Sequence, residues 1–167
     1  MIFRRPHPEE QLDQGDIIDG CPILGIRNFD KQDWSRIESE HAYHRVIILT
    51  QTCDLANEKA SEIAVALLFD AQAMIDQGKL NRNLIRGPIR AGHVHGWYFL
   101  PKDDLLGFSE SIADLRQLHT IRHDILSTLC LQGKRLARLQ PLYREHLAKH
   151  FADTYSRIGL PEPYPSD

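Results

Sequence analysis

The residues that most constrain this chain are Val46-Ile47-Ile48-Leu49, an unbroken, β-branched-rich run of the kind that forms a central strand covered on both faces. A strand is expected over Tyr43 to Gln51. The turn formers Asp54 and Asn57 follow. A second run, Glu62 to Phe69, then sets Ile63, Val65, Leu67 and Phe69 on one side and Ala64, Ala66 and Leu68 on the other. Together they suggest a buried hairpin with a long, polar, functional-looking loop. A chain of 167 residues has room for one such core, so one domain is expected.

The flanking segments fill in around this pair. Residues 1–14 carry Pro6 and Pro8 and no apolar stretch of signal-peptide type, and read as a surface arm. Gly15 to Gly20 frames a short strand, and Pro22 leads into Ile23-Leu24-Gly25-Ile26. Residues 29–42 are mostly polar around Trp34 and Ile37, which suggests a long loop able to act as a lid. Asp70 caps a short helix that Gly78 follows. Strands are expected over His95 to Pro101, Ile112 to Leu118 and Arg135 to Leu139, with an amphipathic helix over Ile121 to Leu131. Pro141 opens a last helix that Gly159 closes, with Tyr143, Leu147, Phe151, Tyr155 and Ile158 on one stripe.

Charge is uneven. Residues 1–78 hold 7 Lys+Arg against 14 Asp+Glu, while residues 79–149 hold 12 against 6, within an overall formal charge of -3. A basic second half suits a phosphate backbone, and suits equally well attraction between the two halves or across a dimer. Three widely spaced cysteines, Cys21, Cys53 and Cys130, point to reduced thiols and a cytoplasmic protein. No apolar run approaches the roughly 20 residues of a membrane span.

Read in order, Gly15-Asp16-Ile17, the buried run after His44-Arg45, and Gln117-Leu118-His119-Thr120-Ile121 resemble the PemK/MazF-like toxins. The later helix, the Arg135 to Leu139 strand and the terminal helix follow in that family's order. The chain is also similar to a group of uncharacterised bacterial proteins carrying a Leu-Thr-Gln-x-Cys-Asp-Leu segment, here Leu49 to Leu55. The first resemblance implies an α+β fold: a compact SH3-like antiparallel β-barrel over residues 15–140 with short inserted helices, and a C-terminal amphipathic helix over 141–159. It further implies a protein that is often dimeric and acts on single-stranded RNA, in active members as a metal-independent endoribonuclease. An arginine at the start of the buried strand stabilises the phosphorane-like transition state, and a hydroxyl near the end of the next strand orients the phosphate. Arg45 matches the first position. The second falls near Phe69, which has no hydroxyl.

Two sets of residues follow as candidates. The catalytic set is Arg45 with the loop residues Thr50, Thr52, Cys53 and Asp54. Cys53 is a nucleophile if His44, His93, His95 or His119 lies against it, and otherwise a structural thiol beside turn-forming hydroxyl and carboxylate groups. The nucleic-acid-binding set is Arg82, Arg86, Arg90, His93 and His95, with Trp97, Tyr98 and Phe99 as stacking rings. Its alternative is a solvated helix face of arginines beside core aromatics. On a strand, His93 and His95 would share a face, a spacing some metal sites use, but no CxxC or HExxH accompanies them, and no metal or cofactor is expected. The functional expectation is RNA binding or cleavage. The alternatives are a protein-interaction module of a toxin–antitoxin or defence-type system, with a protein partner such as an antitoxin, and a Cys53-dependent enzyme.

Overall fold

The alternation within the two central runs governs the sheet they build. In a computed structural model, which describes residues 1–33, 35–56 and 60–156, seven strands form one antiparallel sheet. They are β1 (Phe3–Arg4), β2 (Asp16–Phe29), β3 (Ile37–Ile48), β4 (Glu62–Asp70), β5 (Trp97–Leu100), β6 (Ser111–Arg122) and β7 (Arg135–Leu139). The spatial order β1-β7-β2-β3-β4-β6-β5 puts β3 at the centre, which is why Val46 to Leu49 needs apolar groups in both directions. The helices are α1 (Thr52–Ala56), α2 (Ala71–Asp76), α3 (Arg82–Leu84, running into a π-helical turn over Ile85–Ile89), α4 (His123–Leu131) and α5 (Tyr143–Tyr155).

Ile47, Leu49, Ala66 and Leu68 face an inner core to which every one of the seven strands contributes, from Phe3 in β1 to Tyr98 and Leu100 in β5, with Leu147 of α5. Strands at opposite ends of the order share this core, so the sheet is curled. Small Ala66, Ala113 and Ala137 on the concave side leave room for the curl. Val46, Ile48, Ile63 and Val65 point the other way and are covered by Leu126 and Cys130 of α4. Leu126 is fully buried, and its truncation to Ala would cost about 2–5 kcal/mol. Asp70 caps α2 as expected, its side chain accepting from Ala73 N at 2.9 Å, and with Ile85, Ile89 and Ile112 that helix forms a third cluster.

Several expectations are corrected. Residues 1–14 are woven into the fold: Phe3 packs edge-on against Phe108 at 5.2 Å, β1 pairs with β7, and Leu12 and Gln14 are buried. The expected loop over 29–42 is largely strand, because Ile37 to Ala42 pairs with Ile23 to Phe29 in the outer half of the β2–β3 hairpin. Ile121 and Arg122 end β6, so the helix begins at His123. His93 and His95 precede β5 and lie on no strand. The expectations for Trp34, Asn57, Ile158 and Gly159 lie outside the described residues. No helix among the described residues is long and apolar enough to cross a membrane.

Candidate functional site

The five residues of the expected catalytic set do not converge. Arg45 pairs in register with Leu68 on the concave side, with its guanidinium 3.6 Å from Asp19 Oδ1 and 5.9 Å from the Phe108 ring centre. Asp70 lies at the same end. Burial opposes its ionisation, but bonds from Ala73 N–H and Ser109 and the charge of Arg45 hold its carboxyl below the usual value. At roughly 3.3 Å per residue along the strand, Thr50 is on the order of 16 Å away, at the sheet's other end. There Thr50 Oγ1 accepts from Ala64 N at 2.8 Å, and Thr52 Oγ1 donates to Asp13 Oδ1 at 2.5 Å. Both hydroxyls tie the loop down. Cys53 is exposed with Sγ 3.7 Å from Gln51 Oε1, and Asp54 is also exposed. His44 and His119 sit on β3 and β6, and His93 and His95 lie before β5.

Beneath Thr52 runs an ionic network that sequence reasoning missed. Asp16 is fully buried and accepts from Arg138 Nε at 2.5 Å and Nη2 at 2.8 Å, and from Arg135 Nη1 at 3.0 Å. Burial would lower the Arg138 pKa, but the bonds and charge of Asp16 more than offset it. Arg135 also donates to the carbonyls of His7 (2.6 Å) and Glu10 (2.9 Å), and Arg144 to Asp13 Oδ2 (2.7 Å). Glu10, bonded by Arg4 and by the His7 N–H, is held down to about 2. These bonds pin the N-terminal segment to β7, although the buried Arg135 Nε has no hydrogen-bond partner among the described residues. Their role is structural.

The nucleic-acid set is partly assembled. Arg82, Arg86 and Arg90 are all exposed along the α3 segment, and the Arg90 guanidinium stands 5.8 Å from the Phe99 ring centre. Trp97 carries Arg116 stacked at 3.9 Å, which in turn is held bidentately by Asp114 at 2.9 Å for each bond. His95 stacks on His150 of α5 at 6.0 Å, and His93 is exposed. Among the described residues no group of three or more His, Cys, Asp or Glu side chains is arranged to hold a metal ion.

Between the edge strand β5, the β1–β7 edge and α5, the curled sheet leaves an open seam holding a cavity of about 280 Å³. Arg90, Trp97, Phe99, Tyr143 and His146 line it, with Ile2 and Leu139 on the β1–β7 side. Tyr98 O–H donates to the Tyr143 carbonyl at 3.1 Å, and burial pushes this phenol up to about 12, so it keeps its proton. His146 Nδ1 lies 3.2 Å from the Tyr98 phenol oxygen. One turn on, buried His150 places Nε2 3.1 Å from the Trp97 carbonyl. Its burial, followed in weight by that hydrogen bond acting the other way and by the neighbouring His146 and His95, leaves its pKa below the usual value.

The chain matches no protein-family model, and no curated protein is significantly similar to it. The geometry therefore carries the functional argument. Sequence reading singled out Arg90 and the aromatic strand but missed His146 and Tyr143. The available signal was His146 and His150, spaced by four on the last helix, which places two imidazoles on one helical face.

Proposed function

We propose that this chain is a cytoplasmic, PemK/MazF-like, SH3-type barrel protein that binds single-stranded RNA along the surface joining Arg82, Arg86 and Arg90 to the seam cavity. The observation that carries the reading is the cavity itself, where a donor-only cation, Arg90, shares one opening with the rings of Trp97, Phe99 and Tyr143. A cationic strip beside stacking platforms is what binding of unpaired bases requires, with each stacked base contributing about 1–3 kcal/mol. The core common to all seven strands supports the barrel reading. Arg45 does not line this opening and lies at the other end of the sheet from the Thr50 and Thr52 hydroxyls, so the phosphate contact is assigned to Arg90 instead.

Fluorescence anisotropy with a labelled, mixed-sequence single-stranded RNA tests the proposal. The wild-type chain is expected to bind with a salt-dependent affinity, and the Arg82→Ala, Arg86→Ala, Arg90→Ala triple variant to bind at least tenfold more weakly with a shallower salt slope. Equal affinity of the two, or no binding by either, would refute it. A second reading, an interaction module for an antitoxin, another protein partner or a second copy, is favoured by the outer β2–β3 hairpin, where Leu24 and Ile26 are 77% and 64% exposed. Loss of a stable protein complex on Leu24→Asp, with RNA binding absent from the start, would select that reading.

A further inference from the structure

The outer half of the β2–β3 hairpin stands clear of the rest of the sheet. Every residue of 24–29 and 37–43 is exposed, β7 pairs with β2 only over residues 16–18, and β4 pairs with β3 only over residues 45–48. The register sorts the side chains of this ribbon by face. Pro22 lies opposite Tyr43, Leu24 opposite His41 and Ile26 opposite Ser39, so with Ile37 they form one row, along which the His41 and Tyr43 rings meet edge to face at 5.8 Å. Leu24, Ile26, Ile37 and Tyr43 make that row apolar, although Ser39 and His41 interrupt it within β3 itself. Glu38 and Glu40 point to the other face. Among the described residues neither glutamate is in an ion pair, the neighbouring Arg36 being held by Asp33 at 3.2 Å.

The two edges of the ribbon differ. On β2, Ile26 and Asn28 face the consecutive residues Ser39 and Glu38, so Arg27 is an extra, bulged residue that interrupts the edge. The β3 edge runs without a bulge over residues 37–43, and among the described residues no strand pairs with its outer side. Such an edge presents backbone donors and acceptors ready for a further strand. A second copy of this chain fits it poorly, because overlapping residues 37–43 with themselves in the antiparallel sense sets Glu40 opposite its own copy, a destabilising like-charge pair. We propose that this edge takes an extended segment of another protein by strand addition, with apolar residues alternating with lysine or arginine over about six or seven positions. The segment's backbone continues the sheet, its apolar side chains extend the row of Leu24, Ile26, Ile37 and Tyr43, and its cations meet Glu38 and Glu40. The inference rests on the protein-interaction reading of this hairpin, gives that reading its partner, and is independent of RNA binding at the seam.

The test uses the full chain and a fluorescein-labelled peptide, Val-Lys-Val-Arg-Val-Lys-Val, with binding followed by anisotropy and amide hydrogen exchange read along β3. The expected result is saturable binding that slows exchange over residues 37–43, while the counterpart peptide with glutamate at each cationic position does not bind. The double variant Glu38→Lys, Glu40→Lys changes only exposed side chains. It should bind the basic peptide at least about tenfold more weakly and admit the acidic one, since each opposite-charge pair becomes a like-charge pair. No saturable binding, binding without protection of residues 37–43, or an unchanged affinity of the double variant for the basic peptide would overturn the proposal. A chain that binds no peptide but sediments as a dimer, which Leu24→Asp returns to monomer, would overturn it and leave the protein-interaction reading standing with a second copy as occupant. A chain that binds no peptide and forms no complex sensitive to Leu24→Asp would remove both.

Discussion

Replacing Asp16 by Ala should destabilise this protein more than removal of any exposed charge. Asp16 is wholly buried and accepts three bonds from Arg135 and Arg138, whose side chains are 1% and 7% exposed, and a fourth from Asp13 N at 3.0 Å. Without the carboxylate, the buried Arg135 guanidinium loses its ion-pair partner and Arg138 keeps only its longer contacts to Glu10 (3.4 Å) and Asp13 (3.9 Å), a loss of about 3–5 kcal/mol. Against a total stability of about 5–15 kcal/mol this is a large fraction. At about 2–4 °C per kcal/mol for a chain of this size, the melting temperature should fall on the order of 10 °C. Urea denaturation followed by circular dichroism measures it directly, with Arg45→Ala as the comparison, because its 3.6 Å pair with Asp19 is partly solvated and worth about 0–1 kcal/mol. If Asp16→Ala fails to fold, Asp16→Asn, which keeps an acceptor oxygen, should fold at an intermediate cost. A loss under about 1 kcal/mol for Asp16→Ala would show that charge pairing does not hold the N-terminal segment.

Gly96→Ala should cost about 2 kcal/mol, since φ there is +85° and a Cβ would stand 2.6 Å from Arg116 Cγ; the displaced guanidinium would leave the Trp97 ring and shift its fluorescence. An unchanged emission spectrum would count against the stacked arrangement. The depressed His150 pKa means that the unfolded chain binds the proton more readily, so its contribution to stability is present above about pH 6.5 and is lost as pH falls below it. Stability curves measured from pH 7.5 to 5 should slope downward toward acid for the wild type and less steeply for His150→Gln.

The parts of the fold that sequence made legible are those whose own residues mark their surroundings. Val46 to Leu49 and Glu62 to Phe69 show burial on both faces in their continuous apolar runs, Asp70 announces a cap, and Arg135 to Leu139 forms a strand at the bounds expected. Ile37 to Ala42 escaped because both faces of the outer hairpin are wet, so no period of two distinguishes a strand from a loop. β1 is two residues long and exists because Phe3 finds Phe108 and Leu139, partners more than a hundred positions away. For the candidate site, the basic segment and aromatic strand could be read locally. The seam could not, since His146 becomes a cavity residue only when α5 packs across β5.

The pairing of Phe3 with Leu139 and of Arg4 with Arg138 ties the first strand to the last. During synthesis, a nascent chain emerging at about 5–20 residues per second must therefore wait several seconds between exposing its first strand and receiving the partner for it. Throughout that interval Asp16 has neither arginine beside it, and the edge of β2 that β7 will occupy stays open. Such a topology of distant contacts places the slow, concentration-sensitive stage of maturation at the arrival of residues 135–139, which makes recovery of the protein sensitive to how quickly those residues clear the ribosome.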